Sequence, residues 1–308
     1  MTARKLDGIA VAHAIRAEVR PDVEAFVKRT GRPPGLALVL VGNDPASELY
    51  VGSKLKSAGE TGLRADIERL PATASLDQLL HLIDGLNQSD VHDGILVQSP
   101  LPAAMGRDAE QRVFDAVAPE KDVDGFHPTN VGRLVQNRAD LVSCTPSGII
   151  ELLERSDIPI AGRHAVVIGR SDIVGKPMSL LLLHRNATVT ICHSRTVNLP
   201  RIARDADILI AAIGRAGFVT PDFVKPGATV IDVGTTRVED AALVDRLLPP
   251  DSKRREAFAR RGALVFGDVH AEVEKVAGAL SPVPGGVGPL TIAMLLKNTV
   301  RAAQMRLG

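Results

Sequence analysis

The stretch VVIGRSDIVGKP, residues 166 to 177, limits the fold more than any other part of the chain. A run of β-branched residues stops at Gly169, and a second glycine, Gly175, and a proline open the next apolar segment. Val166, Val167 and Ile168 suit a strand buried on both faces, as parallel strands are. A glycine at such a turn lets backbone amides approach a phosphate at the positive end of the following helix. The spacing from Gly169 to Gly175 differs from G-x-G-x-x-G, so a phosphate-binding turn and a plain tight connection both fit. Apolar segments alternate with amphipathic ones along the whole chain, which makes the fold class α/β, with helices on both faces of parallel sheets.

A chain of 308 residues suits two domains with a cleft between them. The first is expected over residues 1–140, with buried strands at 36–42 and 94–100 and a shorter one at 65–71. Helical spacing over residues 7–30 ends at Gly31, with a kink or break expected at Pro21. A helix that joins the domains is expected to be capped by Thr145, with Pro146 in its first position. The second domain, 141–285, carries strands at 165–169, 187–193, 207–214 and 228–234, separated by crossover lengths, and reads as a Rossmann-like nucleotide-binding unit. The charge runs within 238–262 read as a solvated helix face. A last helix is expected over residues 289–305, and its spacing leaves open where it packs.

Net charge is +1, from 37 basic and 36 acidic residues, with no basic stripe, which argues against nucleic acid as a partner. No apolar run approaches the roughly 20 residues of a membrane span, and the N-terminus lacks a secretory core. The expected location is the cytoplasm. Cys144 and Cys192 have no metal-ligand spacing and read as small buried side chains in a reducing compartment.

Four segments carry chemistry. After Asp44 and Pro45, a helix start, Ser47, Tyr50 and Lys54 share one face while Lys56 points elsewhere. The strand at 94–100 delivers Gln98, whose amide suits holding Lys54, holding a water or capping loop backbone. In EKDVDGFHPTNVGRL, Asp122 and Asp124 alternate before Gly125; D-x-D-G hints at a metal, but the longer calcium-loop pattern is missing, and no metal is expected. SPVPGGVGPLT makes a stiff wall in which Pro282, Gly285 and Gly286 offer backbone to a ligand.

These segments, in this order and with VVIGRSDIVGKP between the third and fourth, closely resemble the bifunctional methylenetetrahydrofolate dehydrogenase/methenyltetrahydrofolate cyclohydrolase family. The resemblance covers essentially the whole chain and rests on Y-x-x-x-K at Tyr50 and Lys54, ILVQ-x-PLP, KDVDGFHP-x-NVGRL and PVPGGVGP. It implies oxidation of 5,10-methylenetetrahydrofolate with NADP to the methenyl form, then hydrolysis to 10-formyltetrahydrofolate, in a homodimer. It also implies Lys54 and Gln98 as the hydrolytic pair, Tyr50 against the pterin, Asp124 as the carboxylate that binds it, and the return of the last helix onto the first domain. Gly169, Arg170, Ser171 and Gly175 match the cofactor turn, and Ser194 the position that meets the adenosine ribose. Thr235, in DVGTTR near the cofactor, Ser99 and His270 depart from the usual pattern. A dehydrogenase without hydrolysis is the alternative, and retention of Lys54 and Gln98 speaks against it.

The residues also speak to the cofactor. NAD sites place an acidic residue at the end of the second strand, whereas this chain has His193, Ser194 and Arg195 there. That end favours a 2′-phosphate, which Arg170 and Arg195 would neutralise.

Overall fold

A computed structural model describes residues 2–249 and 252–307. Met1 of the expected first domain and residues 250 and 251 of the charged stretch lie outside the described residues. The elements run β1 (Arg4–Lys5), α1 (Gly8–Thr30), β2 (Gly35–Val41), α2 (Pro45–Thr61), β3 (Arg64–Leu70), α3 (Leu76–Asn87), β4 (Gly94–Val97), α4 (Ala109–Ala116), α5 (Pro128–Val135) and α6 (Cys144–Arg155). They continue through β5 (His164–Ile168), α7 (Gly175–His184), β6 (Thr188–Cys192), α8 (Leu199–Ala203), β7 (Ile208–Ala211), β8 (Thr229–Asp232), β9 (Thr236–Val238), α9 (Ala241–Leu247), α10 (Arg254–Arg261), β10 (Leu264–Phe266), β11 (Ala279–Leu280) and α11 (Val287–Met305). The described residues divide into two compact units, one of residues 12–144 with 291–307, the other of the segment through Val11 with 145–290.

In the first of these units a parallel sheet has the order β3-β2-β4. All of β2, GLALVLV, is buried, as a central strand covered on both faces must be. Leu79, Ile83 and Leu86 of α3 and Val113 of α4 close one face against Val39, Val41 and Ile95. Ser75 and Gln78 form a reciprocal capping box that fixes where α3 starts. Asp93, fully buried, accepts from both Arg32 guanidinium nitrogens (2.7 and 2.9 Å), from Gly35 N (2.9 Å) and from Arg306 beyond α11 (2.9 Å). Removing either arginine leaves a fully buried carboxylate short of a partner, which is destabilising.

In the other unit a six-stranded sheet has the order β1-β11-β8-β7-β5-β6, with its pairs parallel. Counted from β5, the order 2-1-3-4-5 is that of doubly wound sheets whose chain reverses direction between the first and third strands. Val166, Ile168, Leu209 and Val230 form its core with Ala203 and Phe223. A small antiparallel pair, β9 with β10, gathers Val244, Leu247 and Phe266 into a separate cluster.

Several expectations change. The chain's first residues, assigned to 1–140, group instead with the six-stranded sheet, because Arg4 and Lys5 pair with Ala279 and Leu280. Helix α1 runs through Pro21 unbroken. Pro21 is exposed, so the Ala17 carbonyl it leaves without an amide partner faces solvent. The helix that begins at the domain junction starts at Cys144, one residue before Thr145. The strand expected over 94–100 ends at Val97, although the Gln98 amide still reaches Val39 O (2.8 Å). The charge runs within 238–262 do fall on a solvated helix, α10, which has no buried residue, while β9 and α9 of the same stretch contribute Val238, Val244 and Leu247 to a core.

Candidate active site

The three-stranded sheet reverses chain direction between β2 and β4, because β3 lies on the other side of β2. Ligands in open parallel sheets collect at that point, beyond the carboxyl ends of the strands. Helix α2 leaves this edge, its start fixed by the Asp44 carboxylate accepting from Ser47 N (2.8 Å) and its end by Gly62 in the left-handed conformation. The helix buries Lys54, whose residue is 4% exposed, and leaves Lys56 in solvent beside Glu60.

Lys54 Nζ donates to Gln98 Oε1 at 2.9 Å and lies 5.0 Å from the centre of the Tyr50 ring. The Gln98 Nε2 donates to Ser99 O at 2.6 Å, so the amide holds the lysine and caps loop backbone at once. Asp124 arrives at the same edge because Asp122 bridges to Ile95 in parallel register and Ile95 N donates to Lys121 O (2.8 Å).

Charge in this group is governed by burial. Loss of water pushes the Lys54 ammonium down, with Asp124 pulling the other way. Burial raises the Asp124 carboxyl to about 6, against Lys54 and with Asp122. Burial also raises the Tyr50 hydroxyl, which a hydrogen bond with Thr291 partly offsets. A lysine shifted toward its neutral form beside a half-buried carboxyl suits proton transfer near neutral pH.

Asp122 is buried and engaged with its own loop. Its carboxylate accepts from Gly125 N (3.0 Å), His127 N (2.8 Å) and Asn130 Nδ2 (2.8 Å), and so clasps the loop that presents Asp124. Its D-x-D-G pattern is thereby explained by a turn. Among the described residues no cluster of three or more His, Cys, Asp or Glu side chains is arranged to hold a metal. Cys144 is buried, its thiol pushed well up by burial, and it donates to Val123 O (3.2 Å). Asn298, unforeseen in the sequence, donates to Val123 O (2.8 Å) and Val142 O (2.9 Å) from α11; a buried amide within an apolar helix was its signal.

The other predicted residues lie in the second unit. Its sheet reverses between β5 and β7, and the loops after those two strands touch: a Cβ on Gly169 (φ +136°) would sit 2.2 Å from Ala212 O. A Cβ on Gly175 would sit 2.4 Å from Gly169 O, so both glycines are required by the closure of this turn. Ser171 Oγ accepts from the Val174 and Gly175 amides (3.2 Å each) and caps α7. Arg170, Ser171, Ser194, Arg195 and Thr235 are exposed on this unit. Beyond β6, Thr196 Oγ1 accepts from His193 N (2.8 Å), and the turn holding Ser194 and Arg195 has no acidic side chain. Pro282 and Gly285 are half-buried, and Gly286 is buried against Gly8, where a Cβ would lie 1.7 Å from Gly286 O. No helix among the described residues is long and apolar enough to cross a membrane.

Comparison with known proteins agrees along the whole length. Residues 6–124 match the family model described as tetrahydrofolate dehydrogenase/cyclohydrolase, catalytic domain, and residues 143–307 the NAD(P)-binding domain of the same family. The chain is 54% identical to the bifunctional protein FolD of Koribacter versatilis over 308 residues, covering 100% of this chain and 99% of that protein. It is also 54% identical to the FolD of Solibacter usitatus, covering 99% of each. Among solved structures, the bifunctional FolD of Campylobacter jejuni superimposes with a TM-score of 0.87 at 39% identity, covering 99% of each chain. The Trypanosoma brucei FolD, solved with NADP and an inhibitor, gives 0.86 at 37% identity, covering 100% of this chain and 99% of that one. This chain belongs to the tetrahydrofolate dehydrogenase/cyclohydrolase family.

Proposed function

We propose that this chain is a bifunctional enzyme of folate one-carbon metabolism, which oxidises 5,10-methylenetetrahydrofolate with NADP and hydrolyses the resulting 5,10-methenyltetrahydrofolate to 10-formyltetrahydrofolate. The observation that carries the reading is the buried Lys54 held by Gln98 at 2.9 Å beside Asp124. The relatives with about half their residues in common are named as bifunctional proteins.

NADP, when bound, supplies the acceptor for the hydride that leaves the methylene carbon. The nitrogen lone pairs flanking that carbon stabilise the methenyl cation, so this step asks the protein for positioning rather than for a base. Asp124 binds donors on the pterin, and Tyr50 packs against its ring.

Hydrolysis asks for more. Water adds to the methenyl carbon and gives one proton to the neutral Lys54 amine; the bond from that carbon to N5 then breaks as N5 takes up the hydroxyl proton. The products are the 10-formyl compound and a protonated lysine. Because Gln98 takes one N–H of Lys54, the amine lone pair stays directed. The cationic substrate opposes an ammonium beside it and assists burial in keeping Lys54 neutral.

Gly169, Arg170, Ser171 and Gly175 form the pyrophosphate turn, and Ser194, Arg195 and Thr235 border the cofactor. The turn fits this ligand: its glycines bring backbone close, and the end of β6 lacks the acidic side chain that receives an NAD ribose. Arg170 and Arg195 provide the charge for a 2′-phosphate. The working form is a homodimer in the cytoplasm, where the reduced thiols of Cys144 and Cys192 are at home.

An absorbance assay at two wavelengths, following NADPH and the methenyl compound, tests both halves. Faster methenyl decay with enzyme than without, together with oxidation that prefers NADP to NAD, is expected. Absence of either result overturns the corresponding half.

A further inference from the structure

Two buried carboxylates stand outside the chemistry described above, at the carboxyl ends of β7 and β8. Asp268 is fully buried, and its carboxylate takes three consecutive amides of one loop: Ile213 N (2.7 Å) and Gly214 N (3.1 Å) on Oδ2, and Arg215 N (2.6 Å) on Oδ1. Asp268 is itself seated by Asp232. Oδ1 of Asp232 accepts from Asp268 N (2.7 Å) and Gly234 N (3.0 Å), and Oδ2 from Val269 N (3.0 Å). Ser281 Oγ accepts in turn from Asp232 N at 2.8 Å.

The glycines around the pair are explained by it. A Cβ on Gly267 would lie 1.8 Å from Asp232 Oδ2, and one on Gly234 would lie 2.5 Å from Asp268 Oδ1. The sequence elements DVG at 232–234 and GD at 267–268 are therefore a single device, two carboxylates laid into backbone that has no side chains to exclude them. Three backbone amides meet the Asp268 side chain, and hydrogen bonds to a carboxylate are about twice as strong as those to a neutral acceptor.

The loop that Asp268 holds follows directly on Ala212, whose carbonyl packs against the Gly169 turn. Residues 213–215 thus form the second wall of the crevice at the chain reversal between β5 and β7. With the adenosine ribose at the end of β6, the nicotinamide half of the dinucleotide runs the opposite way, over β7 and β8. We infer that Asp268, anchored through Asp232, is the positioning residue that sets the 213–215 wall for the nicotinamide end of NADP. This inference rests on the cofactor reading above. Neither carboxylate touches the reacting atoms; both act through the backbone they hold.

The test is Asp268→Asn, whose NH2 group faces at least one amide N–H that the carboxylate now receives. KM for NADP is expected to rise about tenfold or more, the loss of one charged hydrogen bond. KM for methylenetetrahydrofolate and the cyclohydrolase rate, measured on methenyltetrahydrofolate without NADP, are expected to stay within about twofold, since one wall of the cofactor crevice alone is disturbed. Ser281→Ala, a milder change, is expected to raise KM for NADP about threefold by loosening Asp232. An unchanged KM for NADP in both variants overturns the inference, and so does parallel loss of both activities in both. If Asp268→Asn does not fold, an unchanged KM in Ser281→Ala overturns it alone. Wild-type enzyme that fails to bind NADP in a calorimetric titration overturns the cofactor reading instead.

Discussion

The two chain reversals, between β2 and β4 and between β5 and β7, share a topology and use it in opposite ways. At the first, the functional groups are side chains: Lys54 is buried, Asp124 is half-buried, and both have affinities for protons set by missing water. At the second, the crevice is made of backbone that approaches backbone, with glycines where any Cβ would collide, while its charged residues, Arg170 and Arg195, stay in solvent. One edge changes the acidity of groups; the other presents a shape. Proton transfer requires the first, because a shifted group works only where water cannot level it, and recognition of a long charged dinucleotide requires the second.

The sharpest break of this comparison is Lys54→Met. Cyclohydrolase activity is expected to fall about 10³-fold or more, the usual worth of a positioned acid–base group, while hydride transfer survives in part. The rates of NADPH formation and of methenyl decay, measured on one preparation, check this. Equal loss of both would place Lys54 in the binding of folate rather than in the hydrolysis.

Gly169→Ala is the matching change at the other edge. The new methyl would meet Ala212 O at 2.2 Å in a backbone conformation that alanine avoids. KM for NADP is expected to rise about 10- to 100-fold from strain of 1–3 kcal/mol, with hydrolysis of methenyltetrahydrofolate unchanged. Steady-state kinetics with NADP varied give the answer.

A pH series sharpens the contrast. Asp124 sits at about 6, so below that pH it becomes a neutral carboxyl and loses the charge proposed to hold pterin donors. KM for methylenetetrahydrofolate is therefore expected to rise as pH falls through about 6, up to tenfold per unit for a single essential ionisation. KM for NADP should show no inflection from this group. The cyclohydrolase kcat moves the same way, growing with pH as Lys54 gives up its proton.

Arg170→Ala and Arg195→Ala are expected to have the smallest effect. Each is exposed, so the loss in NADP-over-NAD preference is about two- to fivefold. Ratios of kcat/KM for the two cofactors measure it.

The sequence made the skeleton legible where periodicity and burial coincide. The seven buried residues of β2, the capped start of α2 at Asp44 and the turn from Gly169 to Gly175 follow from local rules, and the i, i+4 spacing set Tyr50 beside Lys54. Less legible were contacts between segments far apart in the chain. Asp122 read as half of a metal pattern because the partners of its carboxylate, His127 N and Asn130 Nδ2, are visible only once the loop has turned. Asp268 gave no sign, since a carboxylate that serves backbone amides needs no companion residue type at any fixed spacing. Two-residue strands such as β1 are below what periodicity detects, and so the affiliation of the chain's beginning was missed.

That small strand has a consequence for synthesis. Within the sheet β1 neighbours only β11, and Arg4 and Lys5 pair there with Ala279 and Leu280, which leave the ribosome about 275 residues later. The nucleotide-binding half therefore stays open along one side until translation is nearly done, and a fragment cut at residue 143 would present the outer side of β11 as a raw hydrogen-bonding border, inviting the sticking together of chains that the first few residues ordinarily prevent.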